Sequence, residues 1–429
     1  MPVPNHVRRS DPPGVPARRA ALRLLDAVLR RGQALEAALD SAAAQLTRAD
    51  DRALAHALAA HALRRLADLD ALIDSATRQT LPDDAKARMA LRLALVQTLV
   101  LGTPPHAAIA TVLPLVDGGP RKLVHGVFGT LARQAAALPP VAQLPATVAE
   151  RWTAAWGTEV VAAAGALIAT PPPLDLSFAD PAAATAWAAA NDGVSLAPGH
   201  VRVATGARVI DLPGYAEGAW WVQDIAATLP ARLLGTGAGE ALDLCAAPGG
   251  KTLQLAAAGW ATTAVDRSES RLARLSTNLD RTGLAATVFA RDALTWDPPQ
   301  RYDAILLDAP CSATGIYRRH PDVLFRAHPA LIAEMAELQA KLLDRAAPWV
   351  KPGGRLVYAV CSLEPTEGEA QLDAFLARRP GFAIDPVAPR ELPAEIAPDS
   401  FGRVRVLPGA LADAGGCDGF FIARLVRQR

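Results

Sequence analysis

From residue 241 onward one texture repeats: a short apolar run, a turn, a helical stretch, then another apolar run. The runs fall at residues 242–244, 262–265, 286–289, 304–307 and 355–360. Segments this short suit strands rather than core helices, and their near-continuous apolar character suits strands buried on both faces. Helical stretches between most of them predict a doubly wound, mostly parallel sheet. Open sheets of this kind bind ligands at the carboxyl ends of their strands. The residues that close each run are therefore where chemistry is expected.

The first part of the chain has a different period. Across 17–137 apolar residues recur at helical spacing, as in Leu22, Leu25 and Leu29. Similar stripes cover 52–73, 84–101 and 107–116, with breaks expected at Leu81-Pro82, around Pro104-Pro105, and at Gly118-Gly119-Pro120. Five or more amphipathic helices make a bundle. In between, 149–168 reads as helix, and 201–203 and 208–212 as β-prone pieces. The expected divisions are an arm at 1–16, disordered; an all-α domain at 17–140; a linker helix with a small α+β segment at 141–235; and an α/β domain at 236–429.

The net charge of +1 says nothing about a partner, but residues 1–140 hold 18 Lys/Arg against 12 Asp/Glu. That excess fits a nucleic-acid-facing module, with a solvated helical surface as the plainer alternative. No apolar run is long enough to span a bilayer, and the first 16 residues lack an apolar signal core. A cytoplasmic monomer is expected, with no membrane partner. The four cysteines (Cys245, Cys311, Cys361 and Cys417) form no CxxC pair and no usual zinc spacing. No metal is expected.

The most specific string is Asp243-Leu244-Cys245-Ala246-Ala247-Pro248-Gly249-Gly250-Lys251-Thr252, where a strand ends and a helix opens. Small residues let the backbone approach a ligand at the positive end of the helix. A phosphate loop is the rival, but its first Gly would fall at Cys245, and the dinucleotide Gly spacing is absent. A loop for an amino-acid-bearing nucleoside fits better. Asp266, closing the second strand, suits hydrogen bonds to ribose hydroxyls, although a helix cap is an alternative. Asp292, after the third, suits an adenine amino group or again a cap.

Two further strand ends carry thiols: Asp308-Ala309-Pro310-Cys311 and Val360-Cys361-Ser362. A single Cys is more often buried filler; two at adjacent ligand-binding ends, one near an Asp, favour chemistry. Cytosine C5 is too poor a nucleophile to take a methyl group unaided. A thiolate adding at C6 makes the ring an enamine, and C5 can then attack a sulfonium methyl. Cys361 is the expected nucleophile, and Cys311 an acid or base in release. Asp308 would hydrogen-bond the base near N3 and N4, with Lys251 tuning the site. The target base must leave its stack, which implies a single-stranded or flipped cytidine.

At these residues the sequence resembles the two-cysteine RNA (cytosine-5)-methyltransferases, most closely the bacterial small-subunit ribosomal RNA methyltransferase B type. The motifs carrying the resemblance are 242–252, 308–315, Arg318-Arg319-His320-Pro321-Asp322, 361–367, Trp221-Val222-Gln223-Asp224 and Asp418-Gly419-Phe420-Phe421. Pro104-Pro105-His106 and 122–133 resemble the helical RNA-binding domain of an antitermination factor. The resemblance implies a helical bundle followed by a Rossmann-like methyltransferase domain. It also implies S-adenosylmethionine held by Cys245, Ala246, Ala247, Pro248, Gly249, Gly250, Lys251, Asp266, Asp292 and Asp308. Cys361 is the implied nucleophile, Cys311 the release helper and 16S rRNA the substrate. Alternatives are the same chemistry on tRNA or another RNA, a non-catalytic RNA-binding module, and DNA methylation. The second thiol disfavours the last two.

Overall fold

The computed structural model describes residues 12–206 and 208–429. The expected arm lies outside the described residues as far as residue 11, and its last two residues already belong to a helix. The chain divides into two compact units. One holds residues up to 150 with 168–170 and 320–326; the other holds 151–167, 171–319 and 327–429.

The first unit is a helical bundle: α1 (Val15–Leu29), α2 (Leu35–Ala42), α3 (Ala49–Arg64), α4 (Leu66–Ser75), α5 (Lys86–Leu99), α6 (Pro105–Val112) and α7 (Gly118–Arg133). Leu24, Leu25, Leu58, Leu91, Leu95 and Phe128 form its core. The stripe at 52–73 is two helices, divided at Arg65, whose Nη1 donates to Asp68 and to the Pro139 carbonyl. Gly118-Gly119-Pro120, expected as a break, is instead the first turn of α7. Amide groups there have no partner within the helix, so Pro120 removes no hydrogen bond.

In the second part of the chain, α8 (Ala146–Trp156) and α9 (Thr158–Ile168) replace the single expected helix. Gly157, at φ +88°, separates them. A three-stranded antiparallel sheet follows, β1 (Leu174–Phe178), β2 (His200–Val203) and β3 (Trp220–Val222), in the order β2-β1-β3 and packed with α10 (Pro181–Ala190). The β-prone piece at 208–212 is a 3-10 turn at Val209–Asp211, not a strand.

The large sheet has eight strands: β4 (Glu240–Leu244), β5 (Ala261–Asp266), β6 (Thr287–Ala290), β7 (Tyr302–Asp308), β8 (Val350–Val360), β9 (Phe382–Ile384), β10 (Val404–Val406) and β11 (Phe420–Arg427). All five runs read from the sequence are among them. The order is β10-β11-β8-β7-β4-β5-β6, with β9 also on β11. Strands β6, β5, β4, β7 and β8 are parallel, and β11 is antiparallel to β8. Alternate residues serve opposite cores. Leu242, Ile305 and Leu356 face α15 (Pro329–Ala346), whereas Ala241, Ala304, Leu306 and Val357 face α11 (Ile225–Arg232). Helices α12 (Gly250–Ala257), α13 (Glu269–Thr282) and α16 (Glu369–Arg378) complete the layers.

The protein is thus a helical bundle followed by a Rossmann-like sheet. From β4 the chain builds outward to β5 and β6, then returns to lay β7 on the other side of β4. The switch point lies between the ends of β4 and β7, where an open sheet forms its ligand crevice.

One stretch of the later sequence belongs to the first unit: α14 (Val323–Arg326) and the residues before it. Asp322 accepts from the Leu35 amide at 3.2 Å and pairs with Arg326 at 3.3 Å, while Arg326 Nε donates to the Gly32 carbonyl. Among the described residues no helix is long and apolar enough to cross a membrane. Nor does any group of three or more His, Cys, Asp or Glu side chains among them have the placement to hold a metal.

Candidate active site

The loop after β4 is built for close approach. Cys245 and Gly249 take left-handed φ values of 61° and 111°. A Cβ on Gly249 would lie 2.3 Å from Leu275 Cδ1, so no side chain fits between loop and α13. Asp266, at the end of β5, accepts from the Ala247 amide at 3.1 Å and the Ser268 amide at 2.9 Å. It ties the loop to the neighbouring strand, and each carboxylate oxygen keeps a second lone pair. Asp292 accepts from the Leu294 amide. Neither acid is a helix cap: Ser268 caps α13, and a turn rather than a helix follows Asp292, so both contacts are local turn bonds.

A cavity of about 120 Å³ opens beside this loop, lined by Cys245, Asp266, Asp292, Pro310, Leu338 and Leu342 among others. Its lining combines apolar side chains with the carboxylates of Asp266 and Asp292 and with Arg267, Arg271 and Arg291. Burial, together with Asp266 and Asp308, pushes the Cys245 thiol far up, so it stays neutral and serves as wall. A larger cavity, of about 340 Å³, lies by Ser177, His200, Arg232 and Gln254 and contains neither a thiol nor a strand-end acid.

At the switch point the remaining expected residues meet. Strands β7 and β8 are parallel neighbours with Asp308 opposite Ala359, so the loops that leave them run side by side. Cys311 Sγ and Cys361 Sγ lie 3.5 Å apart. The contact with Cys361, then burial and the nearby Glu367, raise the Cys311 thiol well above its ordinary value. Lys251 Nζ is 2.7 Å from Asp308 Oδ2 and 5.4 Å from the centre of the Phe420 ring. Burial alone would lower the Lys251 ammonium, but Asp308, Cys361 and Asp243 outweigh it and raise it. Cys311, Cys361, Asp308 and Lys251 thus form one cluster, and Cys245, Asp266 and Asp292 line the adjoining cavity. Cys417 is buried elsewhere and its thiol is raised by burial.

Two features had no role in the sequence reading. Glu367 is fully buried behind both thiols. A buried ion cluster joins Asp175, Asp224 and Asp418 to Arg202, Arg318 and Arg319. Arg202 lies 2.7 Å from Asp175, Arg319 2.8 Å from Asp224, and Arg318 3.7 Å from both Asp224 and Asp418. Burial, then Asp224, pushes Asp418 up to about 7. From Asp418 a backbone chain runs to the site: Gly419 N–H donates to Gly315 O, and Gly315 N–H to Cys361 O. Glu367, Asp224, Arg318, Arg319 and Asp418 sit in the quoted motif segments and Asp175 and Arg202 do not, and only the fold shows which of them are buried together.

Comparison with known proteins gives the same division. A family model described as 16S rRNA methyltransferase RsmB/F matches residues 234–426, and one described as the NusB family matches 15–132. A protein of Klebsiella pneumoniae subsp. pneumoniae named ribosomal RNA small subunit methyltransferase B is 35% identical, over 96% of this chain and 98% of that protein. A protein of the same name from Salmonella arizonae is 46% identical over 54% of this chain, an alignment spanning 52% of that protein. The solved structure of PH0851 superposes with a TM-score of 0.72 at 21% identity, covering 100% of both chains. That of NSun6 from Pyrococcus horikoshii with SFG gives 0.58 at 18% identity, covering 67% of this chain and 99% of that one. Shared length, both family matches and the methyltransferase fold agree: this chain belongs to the S-adenosylmethionine-dependent ribosomal RNA small subunit methyltransferase B family.

Proposed function

We propose that this protein methylates C5 of a cytidine in 16S rRNA through a covalent bond between Cys361 and C6, with Cys311 assisting release. The observation that carries this reading is the pair of thiols 3.5 Å apart at neighbouring strand ends, next to the Lys251–Asp308 pair. S-adenosylmethionine supplies an electrophilic methyl group on a sulfonium. The chain's own residues must do the rest.

Lys251 places positive charge by Cys361 and favours its thiolate. The thiolate adds to C6, and the electron pair released to C5 would form the new carbon–methyl bond as the methyl–sulfur bond breaks and leaves its pair on a neutral thioether. Asp308 accepts from the cytosine N4 amino group, and Lys251 holds that carboxylate in place. The C5 proton then leaves, the C5–C6 double bond re-forms, and Cys361 departs with its bonding pair. Cys311, held as a neutral thiol, gives its proton to the departing sulfur and is then able to take up the proton that leaves C5. Such a constellation requires an extruded base. The helical first unit, matched by the NusB family model, fits the role of an RNA-binding domain.

The test is methyl transfer from labelled S-adenosylmethionine to unmodified 16S rRNA, followed by nucleoside analysis. Label in 5-methylcytidine is expected. Label in tRNA alone would overturn the substrate, label on another atom the chemistry, and none on either RNA would leave a non-catalytic RNA-binding module.

A further inference from the structure

The Glu367 carboxylate touches the loops of both cysteines. Its Oε1 accepts from the Ser312 amide at 2.7 Å and from Gln339 Nε2 at 3.1 Å. Its Oε2 accepts from the Ser362 hydroxyl at 2.5 Å and, in a still shorter contact, from the Ser312 hydroxyl. Ser312 follows Cys311 and Ser362 follows Cys361, so each thiol is one residue from the same anion. The surroundings tighten this arrangement. Gln339 also donates to the Pro310 carbonyl at 2.9 Å, the Tyr358 hydroxyl donates to the Glu367 carbonyl at 2.5 Å, and Thr314 accepts from the Leu363 amide at 2.9 Å.

A buried carboxylate is costly unless its lone pairs are filled, and here the partners come from three elements that a simple parallel pair would leave independent. Removing it would take the carboxylate acceptor from two serine hydroxyls and a backbone amide, and would leave Gln339 with the Pro310 carbonyl. Hydrophobic packing alone could not hold the two loops in register at this spot.

We propose that Glu367 is a positioning residue for the proposed reaction, a clamp whose buried carboxylate fixes the two thiols face to face and places its negative charge on the Cys311 side. The inference rests on the reading of Cys361 as nucleophile and Cys311 as release helper. The charge favours a neutral Cys311, which fits the division into release helper and nucleophile. The other groups facing the pair are consistent with this division. Burial raises the Glu367 carboxyl, and the donors from Ser312, Ser362 and Gln339 oppose that shift; Tyr358, raised by burial, stays neutral near Cys311; the Lys251 cation near Cys361 is paired with Asp308; Arg405, paired with Glu369, donates to the Ser362 carbonyl at 2.6 Å; and from α15 the neutral Gln339 donates to Glu367.

Glu367→Gln separates clamp from charge. Its amide oxygen can keep the Ser312 and Gln339 amides, and its NH₂ can donate to hydroxyls that rotate to accept. Glu367→Ala removes both functions, and Glu367→Asp is too short to reach both serines. The full-length protein is alkylated with iodoacetamide across pH, and peptide mass spectrometry reads Cys311 and Cys361 separately. In Glu367→Gln the preference for Cys361 over Cys311 should fall about tenfold, the effect of one unit in thiol ionisation. In Glu367→Ala and Glu367→Asp kcat for methyl transfer should fall by on the order of 100-fold, with cofactor KM unchanged. A parental thiol preference in Glu367→Gln together with parental kcat in Glu367→Asp would overturn the proposal. The alkylation arm needs no RNA, so it judges Glu367 even if the parent protein methylates no cytidine, an outcome that would count against the proposed function instead.

Discussion

Cys311 and Cys361 face each other with sulfurs 3.5 Å apart, although 50 residues separate them in the chain. The β7–β8 register brings them together, and the loops from both strands turn toward the same crevice. Two thiols this close beside one cation are not equivalent, because ionising one disfavours ionising the other. The predictions below follow from that asymmetry and from the loop that adjoins it.

Cys361→Ala is expected to abolish methyl transfer while cofactor binding persists, since Cys361 lies outside the cavity of Asp266 and Asp292. Cys311→Ala is expected to accumulate a protein–RNA adduct that survives denaturing electrophoresis. Full turnover in the first variant would remove Cys361 as nucleophile. Normal turnover without adduct in the second would remove Cys311 from release.

Lys251→Met removes the cation 2.7 Å from Asp308, whose ammonium is raised by Asp308, Cys361 and Asp243 against the effect of burial. Methyl transfer at neutral pH should drop by on the order of 100-fold, the scale of losing one preorganised electrostatic contact. If the cation assists the proposed thiolate, the loss should shrink toward alkaline conditions. A pH–rate profile of unchanged shape would contradict this role.

Gly249→Ala combines a left-handed φ with a Cβ 2.3 Å from Leu275 Cδ1. Overpacking of this kind costs about 1–3 kcal/mol, and the loop is expected to shift. Calorimetric titration should show cofactor affinity weakened by about tenfold or more, the equivalent of 1.4 kcal/mol. Gly283, also left-handed at φ 66° but with open space around it, provides the control. Gly283→Ala should cost only about 1 kcal/mol of stability and leave cofactor affinity unchanged.

Asp243 is fully buried in β4, and burial, with Asp308 and Asp266, pushes its carboxyl up to about 7. An unfolded Asp titrates near 4, so the folded state holds this proton more tightly. The resulting stabilisation is complete below about pH 4 and is lost as pH rises through about 7. Urea denaturation at pH 5.5 and 8.5 should show Asp243→Asn losing less stability than the parent over that interval, by on the order of 2 kcal/mol. An equal pH dependence in both would rule out a protonated Asp243.

Much of this architecture could be read directly. All five short apolar runs became strands: β4, β5, β7 and β8 because burial on both faces leaves a local signature, and β6 as a half-buried edge. Helix boundaries were less legible where one residue decides them. Gly157 split a continuous helical pattern by taking a left-handed φ, and Gly118-Gly119-Pro120 began a helix because an N-terminal turn tolerates what an interior turn would not. The β-prone piece at 208–212 failed for a different cause: propensity names a preference, and no neighbouring strand was there to pair with it.

The site divides along the same line. Residue type and place at a strand end pointed to Cys361, Cys311, Asp308, Lys251, Asp266 and Asp292 before any coordinates, because a thiol or carboxylate there has few competing uses. Glu367, Gln339 and the Asp418–Arg318–Arg319 cluster could not be found so. Their hydrogen-bond partners lie far away in sequence, and a polar residue becomes informative only once its burial is known. The sequence alone determined the alternation of strand and helix and the chemical groups at the strand ends. Only the tertiary structure decided which ends are neighbours and which anion stands behind them, because strand order and buried polar pairing depend on long-range contacts that no local pattern encodes.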